Sequence, residues 1–132
     1  MKREFAELPG DGSPVARPVL DVTVAGMIEA PLRCLVDSSS VNTLMPAWVA
    51  SAAGVGLDDA EVRRFAVGGA TVDARFAVVR LAVGGHSWEA PVGFCDPWPY
   101  GWGLLGQAGF FRFFTVTFRA ADWELEVEPN PA

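Results

Sequence analysis

CLVDSSSVNTLMP, residues 34–46, takes an apolar run directly into a carboxylate, Asp37, and then into three hydroxyls. A strand that buries its side chains rarely ends on an acid, because burying a charge without a partner costs free energy. Ser38 follows at once, and its hydroxyl can hydrogen-bond to nearby backbone and stabilise a turn. The stretch therefore predicts a buried strand that ends in a tight turn and holds one carboxylate rigidly within reach of water.

The composition predicts one packed domain. The chain has 132 residues, of which 51% are hydrophobic and 20% are charged, so a core is easily built. The formal net charge is −6 and the ten Lys and Arg residues are scattered, which argues against a nucleic-acid partner. Because the sequence has no apolar run of secretory or membrane-spanning length, we expect a cytoplasmic protein with no membrane partner.

Strand patterns dominate the rest of the sequence. Residues 19–26, VLDVTVAG, alternate apolar and polar side chains, and residues 32–36 are apolar enough for burial on both faces. Gly68-Gly69 and Gly84-Gly85 predict two-residue hairpin turns. Residues 114–129, FTVTFRAADWELEVEP, predict a closing hairpin whose glutamate-rich last strand lies at a sheet edge, guarded by charge and Pro129 or paired with a second chain.

Helical patterns are few. Pro46 suits a first helical turn and Gly54 a stop, which predicts a helix of about two turns, and LLGQAGFFRFF permits a second short helix. With about seven strands and two short helices, we expect an all-β, mainly antiparallel, barrel-like domain over residues 18–132. Residues 1–17, rich in Pro and Gly, are predicted to form an extended N-terminal arm.

One carboxylate in a turn can supply half of a two-carboxylate catalytic site. Peptide hydrolysis by carboxylates needs two of them sharing a proton, one acting on a water and the other on the carbonyl. The sequence offers one Asp in such a setting. A two-fold axis would bring that residue to its own copy in a second chain.

Two motifs, taken in their order along the chain, resemble those of a known protein family. Leu35-Val36-Asp37-Ser38 and the later Leu104-Leu105-Gly106 stand on either side of the glycine hairpin in AVGGATV, and GLLGQAGFF and the closing hairpin follow in sequence. Over residues 18–129 this order resembles the retropepsin-like aspartic proteases, most of all their small bacterial members. The resemblance implies an acid-protease β-barrel that forms one half of a pepsin-like homodimer.

The resemblance also assigns roles to residues. It implies that Asp37 is the catalytic carboxylate and that Ser38 links the two copies of its loop. It implies further that a peptide or protein substrate binds as an extended strand, with no cofactor or metal. The residues implied to contact the substrate come from three places: Ser39 from the aspartate motif, Val67, Gly68 and Gly69 from the tip of a mobile flap, and Trp102 and Leu104 from the pockets beside the scissile bond.

Two positions depart from the family pattern. Ser39 stands where the family has glycine, and a serine in a glycine-only backbone conformation would be strained by one to a few kcal/mol. Gln107 stands where viral members carry an Arg that supports the dimer. The sequence is therefore compatible with an active aspartic endopeptidase, with a member whose activity is lost or altered, and with an altered copy of an active sequence.

Other readings of the sequence remain open beside the protease. An inactive member would keep the barrel as a peptide-binding or dimerisation module. A barrel could instead bind an apolar small molecule between Trp98, Trp102 and the phenylalanines. Cys34, Cys95 and His86 match no zinc spacing and are expected to be two buried free thiols and an ordinary histidine. No nucleophile elbow surrounds the serines, which disfavours a Ser–His–Asp site.

Overall fold

The computed structural model describes residues 1–10, 12, 14–28 and 30–131. Its ten strands are β1 (Lys2–Glu4), β2 (Val19–Val24), β3 (Leu32–Val36), β4 (Leu44–Pro46), β5 (Val62–Val67), β6 (Ala70–Val83), β7 (His86–Asp96), β8 (Gly103–Leu105), β9 (Phe114–Arg119) and β10 (Glu124–Pro129). Among the described residues, helical structure is limited to α1 (Ala47–Ala53), a π-helical turn (Gln107–Phe111) and a 3-10 turn (Ala120–Asp122). None of these described helices is long and apolar enough to cross a bilayer.

Six of the strands close into a barrel. They follow the order β2-β3-β8-β4-β7-β6, and a further pairing of β2 with β6 completes the ring. Within the part of the chain that the structure describes, strand β5 pairs only with β6 and extends the sheet beyond the ring as a hairpin. Most neighbours are antiparallel, and the exceptions are β3 with β8 and β4 with β7. The predicted mainly β barrel with two short helices is therefore confirmed.

Both faces of the central strands are buried, because adjacent residues of a strand point to opposite sides of a sheet. Cys34 and Val36 enter the larger of two hydrophobic clusters, and Leu35 between them packs against the smaller. On β8, Leu105 belongs to the larger cluster and Leu104 to the smaller. The smaller cluster has as its buried members Leu8, Val19, Leu44, Val72, Ala74, Cys95, Trp102 and Leu104. Strand β3 is thus covered on both sides, as its sequence predicts.

The N-terminal arm takes part in a second sheet. Lys2–Glu4 pair with β10, which also pairs with β9, in the order β1-β10-β9. The prediction that β10 lies at an edge is therefore wrong, because the arm covers it. Farther along the arm, Leu8 is buried, while Asp11 and Ser13 lie outside the described residues, as does Ala132 at the end of the predicted domain.

The predicted hairpins and first helix are present. Gly68 and Gly69, both with positive φ, join β5 to β6, and residues 84 and 85 join β6 to β7. Two successive positive φ values give a turn whose twist matches that of the strands. Helix α1 follows Pro46 and ends at Gly54, whose N–H donates to the carbonyls of Ala50 and Ser51.

Candidate active site

The site begins where two parallel strands end side by side. Strands β3 and β8 pair in register, with Val36 opposite Leu105. Asp37 is the first residue after β3, and its N–H donates to the carbonyl of Leu105 at 3.0 Å. Because both strands are buried on both faces, the backbone that carries the Asp37 side chain is held rigidly.

Asp37 is partly buried as a residue, and its carboxylate is held through one oxygen at the exposed side of the turn. Its Oδ1 accepts hydrogen bonds from the Ser39 N–H at 3.0 Å and from the Ser39 hydroxyl at 2.6 Å. The Ser40 N–H donates to the Asp37 carbonyl at 3.2 Å and closes the turn. Asp37 Oδ2 accepts no hydrogen bond from the described part of the chain. One oxygen is therefore anchored, and the other is available to a water or a ligand.

The loop after Asp37 is fastened to the turn after β8. The Gln107 side-chain amide donates to the Ser38 carbonyl at 2.9 Å, and the Gln107 N–H donates to the Ser40 carbonyl at 2.8 Å. The Ala108 N–H donates to the Val41 carbonyl at 2.9 Å. Sequence reasoning identified Gln107 only as a missing arginine and did not foresee that it holds the aspartate loop.

Gly106 allows this close contact. A Cβ at that position would overlap the carbonyl oxygen of Asn42 and would lie 2.6 Å from that of Ser40. Its N–H donates to the hydroxyl of Thr43 at 3.1 Å, and Thr43 is fully buried. The glycine of the Leu104-Leu105-Gly106 motif is therefore required by space, since two loop backbones meet here.

Ser39 does not have the strained backbone that the sequence predicted. Among the described residues other than glycine, positive φ occurs only at Trp123, so the φ of Ser39 lies outside the left-handed region that favours glycine. The prediction of backbone strain at Ser39 is wrong, because this turn does not use a glycine-only conformation. The side chain of Ser39 is exposed and donates to Asp37 instead. Ser38 is exposed too, and its hydroxyl makes no hydrogen bond within residues 30–131.

The predicted flap is the hairpin between β5 and β6, with Val67, Gly68 and Gly69 at its tip. The Tyr100 hydroxyl donates to the Val67 carbonyl at 2.9 Å, a contact that the sequence did not predict. The structure thus brings Asp37, Ser38 and Ser39 together with Gln107, and the hairpin tip together with Tyr100. Both groups border the smaller cluster, through Leu35 in one case and Val67 in the other.

Trp102 and Leu104 lie in the smaller cluster. They are 9% and 6% exposed, and the Trp102 ring stacks on that of Tyr100 at 4.7 Å between centroids. In the single chain they form the hydrophobic base beneath the hairpin. Their contact with a substrate stays a prediction.

Both cysteines are free thiols and buried. Burial raises the pKa of Cys34 far above the ordinary thiol value and raises the pKa of Cys95 to about 12. Both thiols are therefore protonated at neutral pH and unsuited to nucleophilic or metal chemistry. His86 is exposed on the β6–β7 hairpin, and its ring contacts Phe114 edge to face. Within the described ranges, no three His, Cys, Asp or Glu side chains come together as a metal site.

Comparison with known proteins adds no family to this description. No protein-family model matches the chain, and no curated protein matches it.

Proposed function

We propose that the protein is an aspartic endopeptidase of the retropepsin-like kind, active as a homodimer in which two copies of Asp37 share one proton. The observation that carries this proposal is the Asp37 carboxylate itself. It stands at the end of a strand buried on both faces, with Oδ1 held by Ser39 and Oδ2 free of partners in the described chain. Such a carboxylate is held in place by Ser39 and has no cationic partner within the described chain.

In the proposed reaction the two carboxyl groups divide the acid and base roles. The ionised Asp37 takes a proton from a water as that water adds to the peptide carbonyl, and Asp37 of the second copy gives its proton to the carbonyl oxygen. The resulting gem-diol collapses when the leaving nitrogen takes the first proton. The carbon–nitrogen bond then breaks, and one diol hydroxyl returns a proton to the second carboxylate. Each step conserves atoms and charge.

The β5–β6 hairpin is proposed to cover the bound peptide. An extended peptide binds to such a hairpin through main-chain hydrogen bonds, with alternate side chains in pockets. Gly68 and Gly69 leave the tip without side chains, so a peptide backbone can approach closely. Trp102 and Leu104 then contribute apolar surface beside the scissile bond once the hairpin moves.

The test is cleavage of an unfolded protein substrate from acidic to neutral pH by the wild-type chain and by Asp37→Asn. We expect activity on the acidic side of neutrality, where a carboxyl pair holds one proton, and its loss in the variant. Asp59→Asn, an exposed acid in the turn before β5, is the matched control and should retain activity. Cleavage that persists in Asp37→Asn, or a strictly monomeric mass by light scattering at active concentrations, would overturn the proposal.

A second candidate, an inactive peptide-binding or dimerisation module, is favoured by one observation. The Ser39 hydroxyl lies 2.6 Å from Asp37 Oδ1, and its Cβ adds bulk on the exposed side of the turn, where a second copy must come close. This candidate predicts that the wild-type chain binds peptides without cleaving them and that Ser39→Gly gains turnover. Measurable turnover by the wild-type chain that does not increase in Ser39→Gly would exclude it.

A further inference from the structure

Tyr100 ties the hairpin tip to the loop between β7 and β8. Its hydroxyl donates to the Val67 carbonyl at 2.9 Å and lies 3.4 Å from the Gly68 carbonyl. Because a hydroxyl has one proton, the shorter contact is the well-formed hydrogen bond and the longer one is near the limit of the geometry. The bond joins residues separated by 33 positions in sequence, so it links two elements that are not neighbours along the chain.

The ring that carries this hydroxyl is itself held in place. It stacks on Trp102 at 4.7 Å between centroids with an interplanar angle of 29°, and it meets Trp98 edge to face at 5.3 Å. The indole N–H of Trp98 donates to the Trp102 carbonyl at 2.9 Å, which closes the loop on itself. Aromatic pairs of this kind add stability beyond the area that they bury, so Tyr100 is a rigid anchor for the hairpin tip.

Gly68 fits against the hydroxyl. A Cβ at Gly68 would overlap the Tyr100 hydroxyl oxygen and would lie 3.2 Å from the ring carbon that bears it, whereas a Cβ at Gly69 would meet nothing within 4 Å. Both glycines have positive φ. The hairpin turn therefore explains a glycine at either position, and the contact with Tyr100 adds a second requirement at Gly68 alone.

We infer that Tyr100 is the positioning residue of the hairpin tip: its hydroxyl holds Val67 and Gly68 down on the Trp98–Trp102 loop, and a peptide that pairs with the tip must displace it. The first half of this inference stands on geometry alone. The second half rests on the proposed function, because it requires the hairpin to receive a peptide. The tip would then open by exchanging one hydrogen bond for those of the substrate.

The contact can be observed directly, because Tyr100 is the only tyrosine in the chain. With ring-labelled tyrosine, NMR should give a nuclear Overhauser effect between the ring and the Gly68 α-protons. Tyr100→Phe keeps the ring and removes the hydroxyl, and it should speed amide exchange of residues 67–70 about two- to tenfold, the value of one hydrogen bond. Exchange in β9 and β10 is the internal control. No Overhauser effect, together with unchanged exchange at the tip, would overturn the inference.

Two double-mutant cycles separate the effect of the Tyr100 contact on stability from the effect of a side chain in the glycine turn. Gly68→Ala and Gly69→Ala both place a side chain at positive φ, but only the first collides with the hydroxyl. We expect Tyr100→Phe to recover part of the stability lost in Gly68→Ala and none of that lost in Gly69→Ala. Equal recovery in both cycles, or no recovery in either, would show that Tyr100 does not hold the tip through Gly68.

Enzyme kinetics tests the second half of the inference, that a bound peptide displaces the Tyr100 hydroxyl from the hairpin tip. If peptides displace the Tyr100 hydroxyl, Tyr100→Phe should lower KM about two- to tenfold, with the effect in KM rather than in kcat. A fall in kcat with KM unmoved would overturn the displacement step. If the wild-type chain cleaves nothing, the proposed function fails and the displacement step with it, while the NMR and exchange results still decide whether Tyr100 positions the tip.

Discussion

Next to Asp37, the residue that decides how the turn is built is Ser39. Its N–H and its hydroxyl both donate to Asp37 Oδ1, and its backbone is unstrained. Had Ser39 occupied a glycine-only conformation, replacing it with glycine would relieve strain and raise stability. Since it does not, glycine should remove a hydrogen bond and add freedom to the unfolded chain.

Ser39→Ala and Ser39→Gly should therefore both be less stable than the wild-type chain. The alanine variant loses the hydroxyl bond to Asp37, about 0.5–1.5 kcal/mol. The glycine variant loses the same bond and about 0.5–1 kcal/mol more from backbone entropy. Urea denaturation of the three proteins measures both differences. A glycine variant more stable than the wild type would show that the turn is strained after all.

Single-residue reasoning from the sequence predicted the position of Asp37 in a turn after a buried strand, and it missed the contact made by Gln107. A carboxylate after an apolar run is visible in the sequence, because the run itself predicts the buried strand. The bond from the Gln107 side chain to the Ser38 carbonyl joins residues 69 positions apart. No local sequence pattern predicts such a contact, and the same is true of the hydrogen bond between Tyr100 and Val67.

At the scale of elements, the aspartate loop and the turn after β8 depend on each other for their stability. Gly106→Ala would push a Cβ into the backbone of Ser40 and Asn42. We expect the free energy of unfolding to fall by about 1–3 kcal/mol or more, because backbone on both sides must shift. Gly56→Ala is the matched control, since a Cβ there meets nothing within 4 Å and should leave stability unchanged or raise it by about 0.4–1 kcal/mol. Similar urea midpoints for the two variants would contradict the close approach of the loops.

The β5–β6 hairpin should respond to pH through one cross-strand pair. Arg64 and Asp73 lie opposite each other, and the Arg64 Nε donates to Asp73 at 2.8 Å. This hydrogen bond lowers the pKa of Asp73 below its ordinary value. A lowered folded-state pKa means that the pair stabilises the hairpin above the unfolded-state pKa of Asp73, and that this contribution is lost as pH falls through the folded-state pKa.

Asp73→Asn should accordingly loosen the hairpin at neutral pH and make little difference in strong acid. Amide exchange in residues 62–75 measures the effect, which should shrink with added salt because the pair is exposed. Asp58→Asn, in the exposed turn before β5, controls for the loss of one acid. A difference between Asp73→Asn and wild type that persisted unchanged into acid would rule out the ion pair as its source.

Elements with a local signal were predictable, and those fixed by distant pairing were not. The glycine turns, α1 and the β9–β10 hairpin each have a residue pattern inside them. Strand β1 is only three residues long and is a strand because β10 lies beside it. The parallel pairing of β3 with β8, which builds the site, joins segments almost seventy residues apart, so no single window of sequence contains it.

In the whole molecule, the two hydrophobic clusters pack against opposite faces of the same sheet. Val36 and Leu105 face the larger cluster, while Leu35 and Leu104 face the smaller. A cluster cannot open without exposing the back of strands that the other cluster needs. We therefore expect the domain to unfold as one cooperative unit, with no state in which only one cluster is intact.

The cysteines provide a direct test, because Cys34 lies in the larger cluster and Cys95 in the smaller. The two residues are 0% and 1% exposed, and burial raises the pKa of both thiols, so neither should react with a thiol reagent in the native state. Unfolding restores ordinary thiols, and it should become more favourable as pH rises above the ordinary thiol pKa, since only the unfolded chain then ionises them.

Cys34→Ala and Cys95→Ala leave one thiol each, so the reactivity of each cluster can be followed alone in urea. In both variants the remaining thiol should become reactive at the urea concentration where that variant's tryptophan fluorescence reports global unfolding. The variants need not share a midpoint, because each deletion leaves its own cavity. If Cys95 reacted well before the fluorescence change while Cys34 did not, the smaller cluster and the hairpin above it would be opening alone, and the shared sheet would not couple the two halves of the core.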